Sequence, residues 1–317
     1  MHDPIDSFLE RQPVVVLDGA LATELERRGA GLDDALWSAK ILIERPDLIR
    51  DVHLDYFRAG ADVATTATYQ ATFEGFASRG IRRRDAAQLM CGAVALAAAA
   101  RDEFWAAQDN REGRLRPLVA ASVGPYGAML ADGSEYRGRY AIDDAALADF
   151  HRARLYLLAA AGADVLAFET LPCLREALVL ARLLLEIPDA CAWIAFSCND
   201  GVHNSEGEDI GECASRLNDF EQVVAVGVNC TPPQYVPALL QRLRSRTHKP
   251  LVAYPNSGER YEASSKHWLG ISGAMPFGEQ ARLWHSQGAR LIGGCCRTGP
   301  QDIRRVKQCL NPDLLHG

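Results

Sequence analysis

No Cys-x-x-Cys pair occurs in this chain, and no two histidines stand at metal-ligand spacing. That excludes zinc ribbons and thioredoxin-type redox sites. No stretch approaches the ~20 consecutive apolar residues that span a bilayer. The opening Met1-His-Asp-Pro-Ile-Asp is acidic with no apolar segment behind it, so no secretory leader is expected. Positive charge is in deficit: the formal net charge of −7 argues against a nucleic-acid partner and permits a small cationic ligand. Nine cysteines, an odd number without a secretion signal, fit reduced thiols. The expectation is a cytoplasmic protein with small-molecule partners, no nucleic acid and no membrane. Composition leaves the oligomeric state open.

Apolar residues make up 48% of the 317, enough to bury a sizeable core. Short apolar runs recur at Val14–Leu17, Asp62–Thr66, Leu118–Val123, Asp164–Phe168, Ala192–Ser197, Val223–Val228, Leu251–Tyr254 and Leu291–Gly294. They are nearly continuous in hydrophobicity, as expected of parallel strands covered on both faces. Helical patterns fill the gaps. Pro46 sits at a favoured first-turn position, and Asp143 or Asp144 is placed to cap a helix carrying Leu147, Phe150, Leu155 and Leu158. A junction repeats almost verbatim, Ala59-Gly-Ala-Asp62 and Ala161-Gly-Ala-Asp164, with Gly288-Ala-Arg290 as a looser copy. Each glycine suits a left-handed helix end. Eight such units in ~300 residues predict an α/β fold, a (β/α)8 TIM barrel forming one domain over residues 1–317. A doubly wound sheet would need Gly-x-Gly-x-x-Gly after an early strand, and Leu17-Asp-Gly-Ala-Leu-Ala-Thr has a single glycine.

Two adjacent cysteines end the last predicted strand, Leu291-Ile-Gly-Gly-Cys-Cys-Arg297, and Cys230 ends another, Val223-Val-Ala-Val-Gly-Val-Asn-Cys230. A disulfide between neighbours Cys295 and Cys296 is disfavoured by geometry. Three thiolates converging from two strand ends make a soft site suited to zinc, with the fourth tetrahedral position left for substrate. Cys91, Cys173, Cys191, Cys198, Cys213 and Cys309 read as small core residues. Barrel enzymes work at the C-terminal ends of their strands. Asp18, Thr66, Thr68, Ser122, Glu169, Asn229, Cys230, Asn256, Ser257, Cys295 and Cys296 all fall there. Asp18 has an alternative role as a helix N-cap, and the serines and threonines as partners of local backbone groups.

Several motifs resemble the zinc-dependent homocysteine S-methyltransferases: Asp18-Gly-Ala-Leu-Ala-Thr-Glu-Leu, Ala121-Ser-Val-Gly-Pro-Tyr-Gly, Phe168-Glu-Thr, Gly227-Val-Asn-Cys, Tyr254-Pro-Asn-Ser-Gly and Gly293-Gly-Cys-Cys-Arg. The resemblance runs in order from about Val14 to Ile303. Ala131-Asp-Gly-Ser-Glu-Tyr-Arg-Gly138 and Leu36-Trp-Ser-Ala-Lys40 look like the bacterial branch that uses S-methylmethionine. The resemblance implies one Zn2+ on Cys230, Cys295 and Cys296, and amino-acid recognition by Asp18 and Glu169. A tyrosine that reaches the metal in betaine-using relatives is replaced by Gln70.

The expected reaction is methyl transfer from S-methylmethionine, with S-adenosylmethionine as a second donor, to homocysteine. Asp18 and Glu169 would hold the homocysteine ammonium, and backbone N–H groups near Gly19 and Ala20 its carboxylate. Thr66, Thr68, Ser122, Asn229, Asn256 and Ser257 would complete the pocket. Tyr126, Tyr136, Tyr140 and Trp268 would either attract a sulfonium with their ring faces or pack the barrel rim. His53, His151 and His285, on predicted helices, read as structural or solvent-facing. Other readings are a selenocysteine or other thiol or selenol methyltransferase on the same site, a zinc hydrolase, and a structural zinc clip with a fourth protein ligand.

Overall fold

The computed structural model describes residues 3–31, 38–258, 260–262, 267–269 and 275–310. Its strands are β1 (Val15–Val16), β2 (Val63–Thr65), β3 (Leu118–Val123), β4 (Val165–Leu171), β5 (Ala192–Phe196), β6 (Val223–Asn229), β7 (Leu251–Tyr254), β8 (Arg260–Glu262), β9 (His267–Leu269) and β10 (Ala289–Ile292). All but β8 and β9 form one parallel sheet in the order β1-β10-β7-β6-β5-β4-β3-β2. A parallel bridge between Leu17 and Val63 joins its two ends. The fold is therefore the (β/α)8 barrel, and the open doubly wound alternative is excluded. β4 runs past the expected Phe168 to Leu171, and the last barrel strand starts two residues early at Ala289. The antiparallel hairpin β8–β9 is an addition that the hydrophobic pattern does not announce.

Side chains alternate along each barrel strand between two cores, as a two-residue period requires. Val15, Leu17, Val63, Ala120, Val165, Ala167, Trp193, Ala225, Val252 and Leu291 fill the barrel interior. Val16, Val119, Ala121, Leu166, Phe168, Ile194, Val226 and Ile292 face the helical layer instead. The N-terminal helix Pro4–Leu9 inserts Ile5 and Phe8 into the interior cluster, closing the end where the strands begin. The opposite end is left for chemistry.

The repeated junctions do what their residues suggest. Gly60, Gly162 and Gly288 all have positive φ, of 110°, 90° and 107°. Beyond that, the aspartate of each Ala-Gly-Ala-Asp copy accepts a backbone N–H of a neighbouring strand. Asp62 takes Val16 N at 2.9 Å and Asp164 takes Val119 N at 2.8 Å. Each carboxylate is met by a cation, Lys307 for Asp62 and Arg101 for Asp164. Pro46 opens the helix Pro46–Ala59, and Asp143 caps Asp144–Ala160 by accepting from Ala146 N at 2.8 Å. Among the described residues no helix is long and apolar enough to cross a membrane.

Candidate active site

Two glycines shape the end of β10. A Cβ on Gly293 would lie 2.6 Å from Leu17 Cβ, and one on Gly294 would lie 2.2 Å from Thr298 Oγ1. Only glycine lets the chain pass this close before it delivers Cys295 and Cys296. The turn is fixed by Gly294 N donating to Asp18 O (3.0 Å), Cys295 N to Pro255 O (2.8 Å), Thr298 Oγ1 to Cys295 O (2.6 Å) and Ser257 N to Cys296 O (3.0 Å). The third thiol comes from β6, where Cys230 adopts φ 48°, in the left-handed region costly for a side-chain-bearing residue.

These pieces bring three sulfurs together. Cys230 Sγ is 3.1 Å from Cys295 Sγ and 3.5 Å from Cys296 Sγ, and all three lie within 4.8 Å of one another. Zinc–sulfur bonds of about 2.3 Å in a tetrahedron set sulfurs roughly 3.8 Å apart, so the triplet fits a zinc ion with slight spreading. The donor set agrees. Hydrogen bonds from Cys295, Cys296 and the Tyr136 hydroxyl pull the Cys230 thiol well below its ordinary value, while the hydrogen bonds to Cys230, then burial and the charge of Cys230, hold the other two up. A dication is what would allow all three to ionise together. No histidine, carboxylate or fourth cysteine joins the cluster among the described residues. The fourth protein ligand needed by a structural clip is missing there. The remaining six cysteines carry no disulfide, and four of them, Cys173, Cys191, Cys198 and Cys213, are buried.

Two carboxylates sit at the same mouth. Asp18 is not a helix cap: the following helix Leu21–Arg27 has Ala20 at its N-cap, and the Asp18 carboxylate instead reaches β2, accepting from Thr65 N at 2.7 Å and Thr65 Oγ1 at 3.0 Å. Glu169, at the end of β4, accepts from the Ser122 hydroxyl and from the Tyr254 hydroxyl. Tyr254 is itself held by Trp193 Nε1 at 3.0 Å from inside the barrel. Burial pushes Asp18 up to about 8, with the charge of Glu169 adding to it, and pushes Glu169 up to about 7. No cationic side chain bonds either acid among the described residues. Buried acids without a counter-charge could seat a ligand cation.

The other expected pocket residues divide. Thr66 and Thr68 hydroxyls lie 2.7 Å apart; Thr68 donates to Ser122 O at 2.7 Å and Thr66 accepts Ser122 N at 3.1 Å, so the pair stitches β2 to β3. The Asn229 amide is spent on Thr170, accepting its N–H at 2.7 Å and donating to its Oγ1 at 2.8 Å. Ala20 N–H is committed to Thr298 O at 3.2 Å, which removes it as a carboxylate donor, and Gly19 packs against Tyr56 and Thr298. Asn256 donates its backbone N–H to Thr231 O and keeps a buried Oδ1 without a partner. Gln70 donates to Ala128 O at 3.0 Å and likewise keeps a buried Oε1 without one. Of the four loop aromatics, Tyr126 and Tyr140 stack edge-on with each other, and Tyr126 with Phe150, as rim packing. Tyr136 does otherwise: its hydroxyl stands 3.3 Å from Cys230 Sγ. His53 and His151 are fully buried, the latter bonded to Glu176 at 2.8 Å, and His285 Nδ1 lies 3.1 Å from Ala289 O. Leu36, Trp37 and the side chain of Trp268 lie outside the described residues.

Thr65, Tyr69, Glu135 and Tyr254 were missed as site neighbours. Tyr69 is buried and feels the charges of Glu135, Cys230 and Glu169. Glu135 and Tyr136 did carry a signal, since they form the middle of the Ala131–Gly138 segment.

A barrel with three thiols and two uncompensated acids at its C-terminal mouth defines a class: enzymes that handle a sulfur-bearing amino acid. Comparison with known proteins narrows the class. The profile of the homocysteine S-methyltransferase family matches residues 15–310. The chain is 55% identical to homocysteine S-methyltransferase YbgG of Bacillus subtilis, covering 96% of each protein. It is 49% identical to the homocysteine S-methyltransferase of Escherichia coli over 96% of this chain and 98% of that one. The crystal structure of Escherichia coli homocysteine methyltransferase MmuM in its metallated form superposes with a TM-score of 0.87 at 46% identity, covering 96% of this chain and 99% of the other. This chain belongs to the homocysteine S-methyltransferase family and is a methyltransferase acting on homocysteine.

Proposed function

We propose that the enzyme uses one zinc ion, held by Cys230, Cys295 and Cys296, and that its methyl donor is S-methylmethionine, with S-adenosylmethionine as a second donor. When bound, zinc supplies the positive charge that lets homocysteine sit at the site as a thiolate at neutral pH. Asp18 and Glu169 take the homocysteine ammonium, which offsets the burial of two carboxylates. Ser122, Tyr254 and Thr65 aim those acids. The homocysteine sulfur attacks the sulfonium methyl carbon in line. The carbon–sulfur bond of the donor breaks with its electron pair left on the departing methionine, and the thiol proton goes to solvent. A neutral thioether leaves without needing a proton, in keeping with a thiol cluster that contains no histidine. Positioning is then the main task of the protein.

The observation that carries this reading is the convergence of three sulfurs on a mouth whose two buried acids bond no cationic side chain among the described residues. A selenol in place of the thiol would use the same groups. Three thiolates would make zinc a weak Lewis acid, which disfavours a zinc hydrolase. The test pairs turnover with proton counting. Zinc-loaded protein should form methionine from homocysteine and S-methylmethionine, and not from betaine. Homocysteine binding near pH 7, followed by calorimetry in buffers of different ionisation enthalpy, should release about one proton. Absence of that proton would sink the thiolate mechanism.

A further inference from the structure

A third acid stands over the same mouth. Glu135 lies on the short turn Ser134–Tyr136 that follows β3, in the Ala131–Gly138 segment. The segment is held in place along its backbone. Glu135 O accepts from Ser197 Oγ at 3.1 Å and Tyr136 O from Asn199 Nδ2 at 3.3 Å, both beyond the end of β5. Gly127 makes the fit possible, because a Cβ there would come within 2.6 Å of Glu135 N. The next residue, Tyr136, rests its hydroxyl on Cys230 Sγ.

The Glu135 carboxylate has Oε2 buried with no hydrogen-bond partner. The nearby cation makes no bond to it: Arg137 turns outward to Asp132 O at 3.0 Å, is 63% exposed, and its charge only partly offsets the upward push on Glu135. Burial, followed by the charge of Cys230, pushes Glu135 up to about 7. The charge of Glu135 also reaches Tyr69 and Tyr136, and each of these tyrosines feels Cys230 as well.

Homocysteine brings one ammonium, and Asp18, which feels the charge of Glu169, shares it with that acid. Glu135 is left over. Two acids from different elements, Glu169 on β4 and Glu135 on the turn after β3, both feel the sulfur of Cys230. The proposed reaction joins two amino acids of one carbon skeleton through a single methyl group, so sulfur lies at the centre and an ammonium at each outer end. We infer that Glu135 binds the α-ammonium of the methyl donor, with Tyr69 and Tyr136 facing its sulfonium. This rests on the S-methylmethionine reading above and gives that donor its own recognition residue. A sulfonium without an amino group loses this contact.

The test measures binding to zinc-loaded protein of S-methylmethionine and of 4-(dimethylsulfonio)butanoate, which is the same molecule without its amino group. Wild-type protein should bind S-methylmethionine about 10- to 100-fold more tightly, the worth of one charge-assisted hydrogen bond. Glu135→Gln should bind the two nearly alike, with homocysteine affinity within about twofold of wild type and unchanged melting, and Glu135→Asp should recover part of the preference. Equal binding of both probes by wild-type protein would overturn the inference. So would a Glu135→Gln variant that keeps the preference, or one that loses both probes and homocysteine together. If wild-type protein methylates homocysteine from another donor but neither binds nor uses S-methylmethionine, the donor reading itself fails and the inference goes with it.

Discussion

Two groups of buried charge occupy opposite ends of this barrel. At the end where the strands begin, Asp62 accepts from Lys307 Nζ at 3.0 and 3.3 Å, Gln12 Nε2 at 2.7 Å and Val16 N at 2.9 Å, with Arg114 at 3.5 Å. Both carboxylate oxygens have donors, and two cations face the one negative charge. At the other end, Asp18 and Glu169 are buried and Glu135 is half-buried with one carboxylate oxygen shut off from water; none of the three has a side-chain cation bonded to it among the described residues. Burying a charge without a counter-charge is costly. The same residue types therefore serve structure where the protein completes them and binding where it leaves completion to a ligand.

The contrast can be broken from either side. The largest effect belongs to the thiols: Cys296→Ala should lose most of its zinc and at least ~10³-fold in activity, since two ligands remain of three. Metal analysis after gel filtration would show it, and full zinc occupancy would refute the ligand set. Next comes the completed end. Lys307→Met strands Asp62 in the interior and should cost ~3–5 kcal/mol in urea unfolding while leaving homocysteine affinity of the folded protein intact. A loss under 1 kcal/mol would mean that Arg114 and Gln12 alone complete Asp62.

Glu169→Gln should weaken homocysteine binding by ~1.5–3 kcal/mol without change in zinc content or loss of stability. Opposite signs on stability for Lys307→Met and Glu169→Gln are the sharpest form of the comparison. The smallest effect is one of pH. Asp18 at about 8 and Glu169 at about 7 lie above the ordinary carboxylate range, so the folded substrate-free protein holds protons that the unfolded chain has released. Their contribution is complete below pH ~4 and is lost as pH rises through 7 to 8. The melting temperature should fall by ~2–4 °C across that window, and Asp18→Asn should flatten the slope. A melting temperature that rises there instead would remove the case for uncompensated acids.

Most of the barrel was legible because strands buried on both faces read as unbroken apolar runs, and because the Ala-Gly-Ala-Asp junctions repeat. Cys295 and Cys296 were legible for a local reason, two thiols following two glycines. What was hidden depended on contacts distant in sequence. The aim of Asp18 is set by Thr65 on the next strand, so a local reading offered a cap that does not form. The Asn229 side chain looks available until Thr170, 59 residues away, takes both ends of it. Hairpin β8–β9 lies in a polar stretch without apolar periodicity, and Glu135 reaches the mouth only because a turn after β3 is pinned to residues after β5.

The Asn229–Thr170 pair has a consequence of its own. Thr170 (φ 60°) follows Glu169, and Cys230 (φ 48°) follows Asn229. One amide thus clamps two strained peptide segments, one bearing the acid and the other the sulfur. The gap between acid and sulfur is then a property of the main chain and works as a fixed gauge. On the binding mode proposed above, a thiol amino acid shorter by one methylene, such as cysteine, should satisfy one end of that gauge but not both.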